Sequence, residues 1–407
     1  MRNSITLTVV AMVLVMAGTA TSATLNIERG SDLQSIIDYA KDGDTLILAA
    51  KTFEAAPRLF DDPLCGNCLS PTEPVKASIG FKIKGKSLVI LGADRQKTRL
   101  VTNAGYGVYF EDSQGSIIRN LTVTGGKRDD DGNATDAGIV VRRSTVWIDQ
   151  VDVRDNTHRS PDSTVVVGIG GVFGREGAEI RITNCNIVNN KWDGVALYRG
   201  AIAYVTDCLI KDGRGAGIGV TWDATCTAYR NEVTGFWKGI GSFGTSVVIA
   251  RNNLVHENLA WGIIATHESY LEATNNIAYH NGQCGVAPSS VECRGRLINN
   301  IIARNGWRDR GDRNICDCVG VHNYGDWAKW VFRNNIVFGN DSGQYQDIWD
   351  QTGIDGNLDS DPLFLEDGSF RLQPGSPALN AGDSTIYNRD GSRSHIGLYG
   401  GPQARQE

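Results

Sequence analysis

The middle of this sequence carries cations, acids and tryptophans at spacings that fall on neighbouring turns of chain. Arg175 and Arg199 are guanidinium groups, which pair with carboxylates through two parallel hydrogen bonds. Lys238 and His267 are bases able to take a proton once burial or a charged neighbour tunes them. Asp193, Asp223 and Glu268 are carboxylates that could hold a calcium ion, and Asp223 with Glu268 could instead form the acid–base pair of an inverting hydrolase. Trp192, Trp222, Trp237 and Trp261, with Tyr198 among them, offer flat apolar faces suited to sugar rings. Acting on an acidic sugar polymer, such a set would hold the uronate carboxylate with arginine or calcium. Lys238 or His267 would then remove the adjacent proton, and the neighbouring oxygen would leave by β-elimination. Each residue also has a plainer role, since charges at turns are commonly solvated and tryptophans commonly pack beneath loops.

What places these residues together is an internal repeat. A Gly followed by a branched aliphatic recurs at Gly171, Gly194, Gly217, Gly239, Gly262, Gly285 and Gly320, in steps of 23, 23, 22, 23, 23 and 35. A second series, Cys185, Cys208, Asn231, Asn252, Asn275, Asn299 and Asn334, keeps register with it, and an aliphatic residue follows each member by two positions. A period near 23 with alternating β-runs and no helical stretch predicts an all-β solenoid, a right-handed parallel β-helix, because no single unit can bury its own apolar face. Leucine-rich repeats need a different leucine spacing, and propeller blades need about twice the length. The Asn series predicts a ladder in which each amide bonds the next rung.

The register becomes a surface map. Positions one and three after each Gly should face inward, and positions two and four outward. The second position gives the small strip Ala196, Gly219, Gly241, Ile264 and Ala287; the fourth gives Arg142, Arg175, Tyr198, Thr221, Phe243 and Thr266. The fifth gives Arg143, Glu176, Arg199, Trp222, Gly244 and His267, and the sixth adds Asp223 and Glu268. Trp192, Trp237 and Trp261 fall just before the Gly.

The first 23 residues read as a signal peptide, with one early cation, an apolar run from Ile5 to Met16 and small residues at Thr21-Ser22-Ala23. Residues 24–407 are then expected to form one domain, with caps at 24–50 and 355–407, in an exported monomer without a membrane span. A net charge of -6 gives no basic footprint for nucleic acid or a membrane surface. Nine cysteines suit an oxidising compartment; Cys65 and Cys68 are expected to staple a loop, and Cys284/Cys293 and Cys316/Cys318 are candidates for local bridges. Ser31-Asp32-Leu33-Gln34 predicts a short capping helix, and Asp129-Asp130-Asp131 an exposed loop.

Two segments carry a family resemblance. Leu33-Gln34-Ser35-Ile36-Ile37-Asp38-Tyr39-Ala40-Lys41-Asp42-Gly43-Asp44-Thr45-Leu46 resembles the cap of pectate-lyase-like β-helix proteins. Asp361-Pro362-Leu363-Phe364, followed by Phe370 to Ala378, is similar to the tail of many exported bacterial β-helix proteins. The resemblance implies the fold and a carbohydrate-active protein. The expectation is a secreted lyase of acidic polysaccharides, with a non-catalytic carbohydrate-binding protein and an inverting glycoside hydrolase as alternatives. The sequence lacks a paired-Asp block and a Gly-His-Gly of the polygalacturonase type, which counts against the hydrolase.

Overall fold

The computed structural model describes residues 22–28, 32–159, 168–308 and 318–405. Most of the expected signal peptide, Ser31 and Cys316 lie outside them. Each coil is three short strands joined by sharp turns, as in Glu179–Thr183, Asn186–Val188 and Val195–Leu197. Successive coils pair in parallel: Val172, Val195, Ile218, Ile240, Ile263, Val286 and Val321 follow one another in register. They belong to a front sheet of twelve strands, in which Arg58–Asp62 runs antiparallel to Val75–Lys84. The other two strands of each coil form a bent sheet of 21 strands. The parallel coil and the Gly register are as the sequence predicts.

The repeat Gly is required by the closeness of the coils. A Cβ on Gly194 would lie 2.6 Å from the Gly217 carbonyl oxygen, and one on Gly239 2.5 Å from that of Gly262. Bulk there would push the rungs apart.

The ladder exists and begins at the predicted Cys185, Cys208 and Asn231, but from the next rung on it runs one residue along from the predicted series. Asn231 donates to the Asn253 side chain at 3.0 Å, Asn253 to Asn276 at 3.0 Å, Asn276 to Asn300 at 3.0 Å and Asn300 to Asn335 at 3.0 Å. Cys185 and Cys208 occupy its first rungs as buried free thiols. The residues before the rungs, Asn252, Asn275, Asn299 and Asn334, have left-handed backbone (φ 52–57°) and make the corner between two strands, a conformation Asn tolerates well. Their side chains point outward and hold the C-terminal segment: Asn252 donates to Leu398 O at 2.9 Å and Asn275 to His395 O at 2.8 Å, while Asn299 accepts from Asp383 N at 2.7 Å. The slip of one residue reverses the faces. Val255, Ala278, Ile302 and Val337 fill the interior, whereas Leu254, Ile277, Ile301 and Ile336 form an outer apolar cluster sealed by Ala378, Ile396 and Leu398.

A second ladder, absent from the sequence reading, runs through Asn258, Asn281, Asn305 and Asn340 at 2.8–2.9 Å per step. It lines the turn that enters the front sheet.

The helix Leu33–Tyr39 covers the first coil, capped by Asp32. Gln34 pairs with both backbone groups of Lys82, and so imitates the missing neighbouring strand. Cys65 and Cys68 form a disulfide. Cys284 is disulfide-bonded, while Cys293 is a buried free thiol, so the expected Cys284–Cys293 bridge is not made. The acidic run is not simply exposed: Asp129 accepts from Ser78 N and Oγ at 2.8 and 2.5 Å, and Asp131 from Lys76 N at 2.8 Å.

The two Asn columns predict different lesions. Asn276→Leu removes buried partners and should lower stability by about 1–3 kcal/mol in denaturant unfolding. Asn275→Leu should chiefly loosen the tail, read as faster amide exchange across residues 395–400.

Candidate functional site

Three columns of side chains shape the exposed face of the front sheet. On the margin where the chain enters, Asp193, Ala216, Lys238 and Trp261 stand on consecutive rungs. The middle column is Ala196, Gly219, Gly241 and Ile264, in register. Gly219 leaves the sheet face low beside Asp193, and the Phe243 ring lies over Gly241, which makes a depression next to Lys238. The ideal Cβ at Gly219 lies 4.0 Å from Asp193 Oδ2, and at Gly241 it would meet Phe243 Cζ at 2.3 Å. Lys238 Nζ lies 5.7 Å from both the Phe243 and Trp261 ring centroids, so its ammonium sits between two aromatic walls. Tyr198, packed edge-on against Phe173 at 5.8 Å, closes the end nearer the N-terminus.

Burial decides the charges here. It pushes the Asp193 carboxyl up to about 6, although the Ala216 N–H donated to it at 2.5 Å and the positive charge of Lys238 work the other way. Burial also pulls the Lys238 ammonium below its usual range, against the opposing attraction of Asp193. The Tyr198 phenol is held well above its usual range by burial and then by Asp193, and so stays protonated. An acid and an amine moved toward each other across neutral pH, in a depression walled by aromatics, are equipped for proton transfer.

The front sheet and this depression can now be set beside known proteins. The model of the right handed β-helix region matches residues 81–253. The solved structure of pectate lyase Pel9A aligns over 93% of this chain and 96% of its own, with 14% identity and a TM-score of 0.52. The chain is a right-handed parallel β-helix protein. A variant of the periplasmic alginate epimerase AlgG (11% identity, 79% of this chain and 74% of that one, TM-score 0.41) is a more distant match. So is the A-module of the mannuronan C-5 epimerase AlgE4 of Azotobacter vinelandii (14%, 77% and 84%, 0.33). No curated protein sequence matches the chain.

The β-helix distributes the other expected site residues unevenly. Trp192, Trp237 and Trp261 border the entry margin, all partly exposed, with Trp237 edge-on to Trp261 at 6.3 Å. Arg128, from an insertion with no repeat register, lies 5.9 Å from the Trp192 ring and was invisible to the surface map. Phe243, read only as an outward position, proves to be a wall. On the exit margin, Arg199 and Trp222 are left-handed turn residues; the guanidinium stacks 4.6 Å from the indole and donates to Cys68 O. Asp223 accepts from Gly200 N at 2.7 Å, and His267 bonds Thr266 Oγ1 at 2.7 Å; both are exposed, as is Glu268. His267 therefore stands across the width of the sheet from Lys238 and does not share its pocket.

Arg175 requires correction. It is fully buried, donating to Glu176, Asp62, Tyr106, Thr135 and Leu64, and with Arg142 it pins the Cys65–Cys68 loop to the coil. No donor face remains for a sugar. The three carboxylates expected to hold calcium are not gathered in one place: Asp193 lies on the entry margin, whereas Asp223 and Glu268 lie beyond the exit. Among the described residues no three His, Cys, Asp or Glu side chains gather to hold a metal, while calcium takes about 6–8 oxygens. These residues do not fit such a site.

Because Asp193 is more easily protonated folded than unfolded, its contribution to stability is present below the unfolded value of 3.8 and lost as pH rises through about 6. Asp193→Asn should therefore melt higher than the parent by a margin that grows from about pH 4 to about pH 7, measured by differential scanning calorimetry. A constant margin would show that the carboxyl is not shifted.

Proposed function

We propose that this β-helix is an exported, monomeric polysaccharide lyase that cleaves a uronate-containing chain by β-elimination, with Lys238 as the base. The observation that carries the reading is Lys238 itself, an amine with lowered proton affinity standing over a glycine-floored depression between aromatic walls. The sheet holding it is shared with pectate lyase Pel9A as a fold. Sugar rings would stack on Trp261, Phe243 and the neighbouring tryptophans. The neutral Lys238 amine would take the proton from the carbon bearing the uronate carboxylate; the electron pair forms the carbon–carbon double bond as the glycosidic bond breaks, and the leaving oxygen takes a proton from solvent. Arg199 over Trp222 places positive charge on the exit margin at one end of the depression, where it favours an acidic chain, whereas Arg128 beside Trp192 is buried and paired with Asp136. Asp193 tunes Lys238, its charge supporting the ammonium.

Polygalacturonate and alginate, incubated with the protein with and without a chelator, test the reading through the absorbance of the unsaturated product. The expected result is turnover by the parent and a loss of about 100-fold or more in Lys238→Ala, the size of a general base's contribution. Asp193→Asn removes a charge that raises the lysine's proton affinity, so the alkaline rise in kcat/KM should move to lower pH. Reducing ends released without absorbance would point to hydrolysis. Binding without either product would favour a carbohydrate-binding role.

A further inference from the structure

The bent sheet carries a second aromatic row that the front depression does not use. Ile117, Trp147, Arg181 and Tyr204 follow one another in register on four rungs. All four face outward, because the buried Ile118, Ile148, Ile182 and Val205 alternate with them. Tyr229 stands on the next rung in the adjoining outward column, in register with Thr206. Between these side chains lies a depression of about 590 Å³, bordered also by Thr145 and Glu179.

Two features mark this surface as built to bind. The Trp147 indole is fixed by its Nε1 donating to Thr183 Oγ1 at 2.9 Å, and Thr183 in turn donates to Asp149 at 2.7 Å. A ring held in place loses little freedom when a ligand stacks on it. The arginines around it are matched to carboxylates: Arg119 with Asp149 at 3.0 Å, Arg230 with Asp207 at 2.7 Å and Arg251 with Glu272 at 2.6 Å. Arg181 instead lies 5.2 Å from the Trp147 ring centroid, exposed, with no carboxylate within 4.0 Å among the described residues. Further along the same sheet, outward aliphatics are sealed by the C-terminal tail. The Tyr204 ring is left 48% exposed.

We infer that this face is a second binding site for acidic pyranose polymer, separate from the front depression. The inference rests on the reading of the chain as one that handles uronate polysaccharide. Rungs repeat every ~4.8 Å, so Trp147 and Tyr204, two rungs apart, lie about 10 Å from one another along the coil axis. Two pyranose rings of one chain stack on the two aromatics, and the guanidinium between them meets the carboxylate of a uronate. Such a site keeps a long polymer on the protein between encounters with the front face and raises its local concentration there.

Affinity electrophoresis through gels containing alginate, polygalacturonate or a neutral glucan tests this, in a Lys238→Ala background that leaves the polymer uncut. Adding Trp147→Ala and Tyr204→Ala should reduce retardation by the acidic gels several-fold. Arg181→Gln should erase the preference for acidic over neutral polymer. With Lys238 intact, the aromatic double variant should cleave short uronate oligomers at the parental rate. Circular dichroism checks that both variants are folded. Retardation equal to that of the Lys238→Ala parent overturns the inference, and equal retention by neutral and acidic gels before Arg181 is changed overturns the acidic class. Should the parent cleave nothing while retardation still depends on Trp147 and Tyr204, the lyase reading falls and this site stands.

Discussion

Everything in this molecule depends on parallel backbone hydrogen bonds that force each coil to lie directly over the last. A coil of about 23 residues must turn three times and return to register, and each turn must leave no polar backbone group stranded. The chain meets this with left-handed residues at the corners and, next to two of them, side-chain amides that bond the next rung. Charge, aromatic walls and the glycine floor of the front depression inherit their spacing from that arrangement. Without a fixed rung, Asp193 and Lys238 would have no constant relation to each other.

The coil was legible in the sequence because the Gly column is dictated by backbone contact and cannot vary. The Asn ladder was legible in kind and in its first rungs, and misplaced by one from Asn252 onward, for a definite reason. Where two asparagines are adjacent, as in Asn252-Asn253 and Asn275-Asn276, one supplies the left-handed corner and the other the buried amide, and composition does not say which. The corner residue comes first, because the buried amide must begin the next strand. The front face was read less well. Columns came out correctly, so Lys238 and the tryptophans stand on the margin where the register put them, but burial did not. Arg175 looked like a binding cation because its partner Asp62 lies more than 100 residues away in an antiparallel strand outside the repeat. Arg128 lies in an insertion too, where register gives no guidance.

The electrostatics of the depression follow from shape more than from the number of charges. Glycines at the second position withdraw side-chain bulk from the middle of the sheet, and Trp261, Phe243 and Tyr198 shield what lies at its edge from water. In that setting a single carboxyl and a single amine influence each other from different rungs. The exit margin, also rich in charge, is open to solvent; its Asp223 and His267 are engaged by local turn partners, and Glu268 is exposed. The difference between the margins explains why similar residue types have different proton affinities and surroundings on the two sides of one strand.

The docking of the tail on Asn252, Asn275 and Asn299 bears on how the molecule is made. A solenoid can in principle wind coil by coil as it emerges from the ribosome, each turn using the previous one as its template. Here the apolar outer wall of the central coils stays uncovered until residues near 400 have been synthesised. The growing chain thus carries a sticky flank from the time Leu254 is made until the tail follows, and its last-made segment acts as the lid that ends this vulnerable interval.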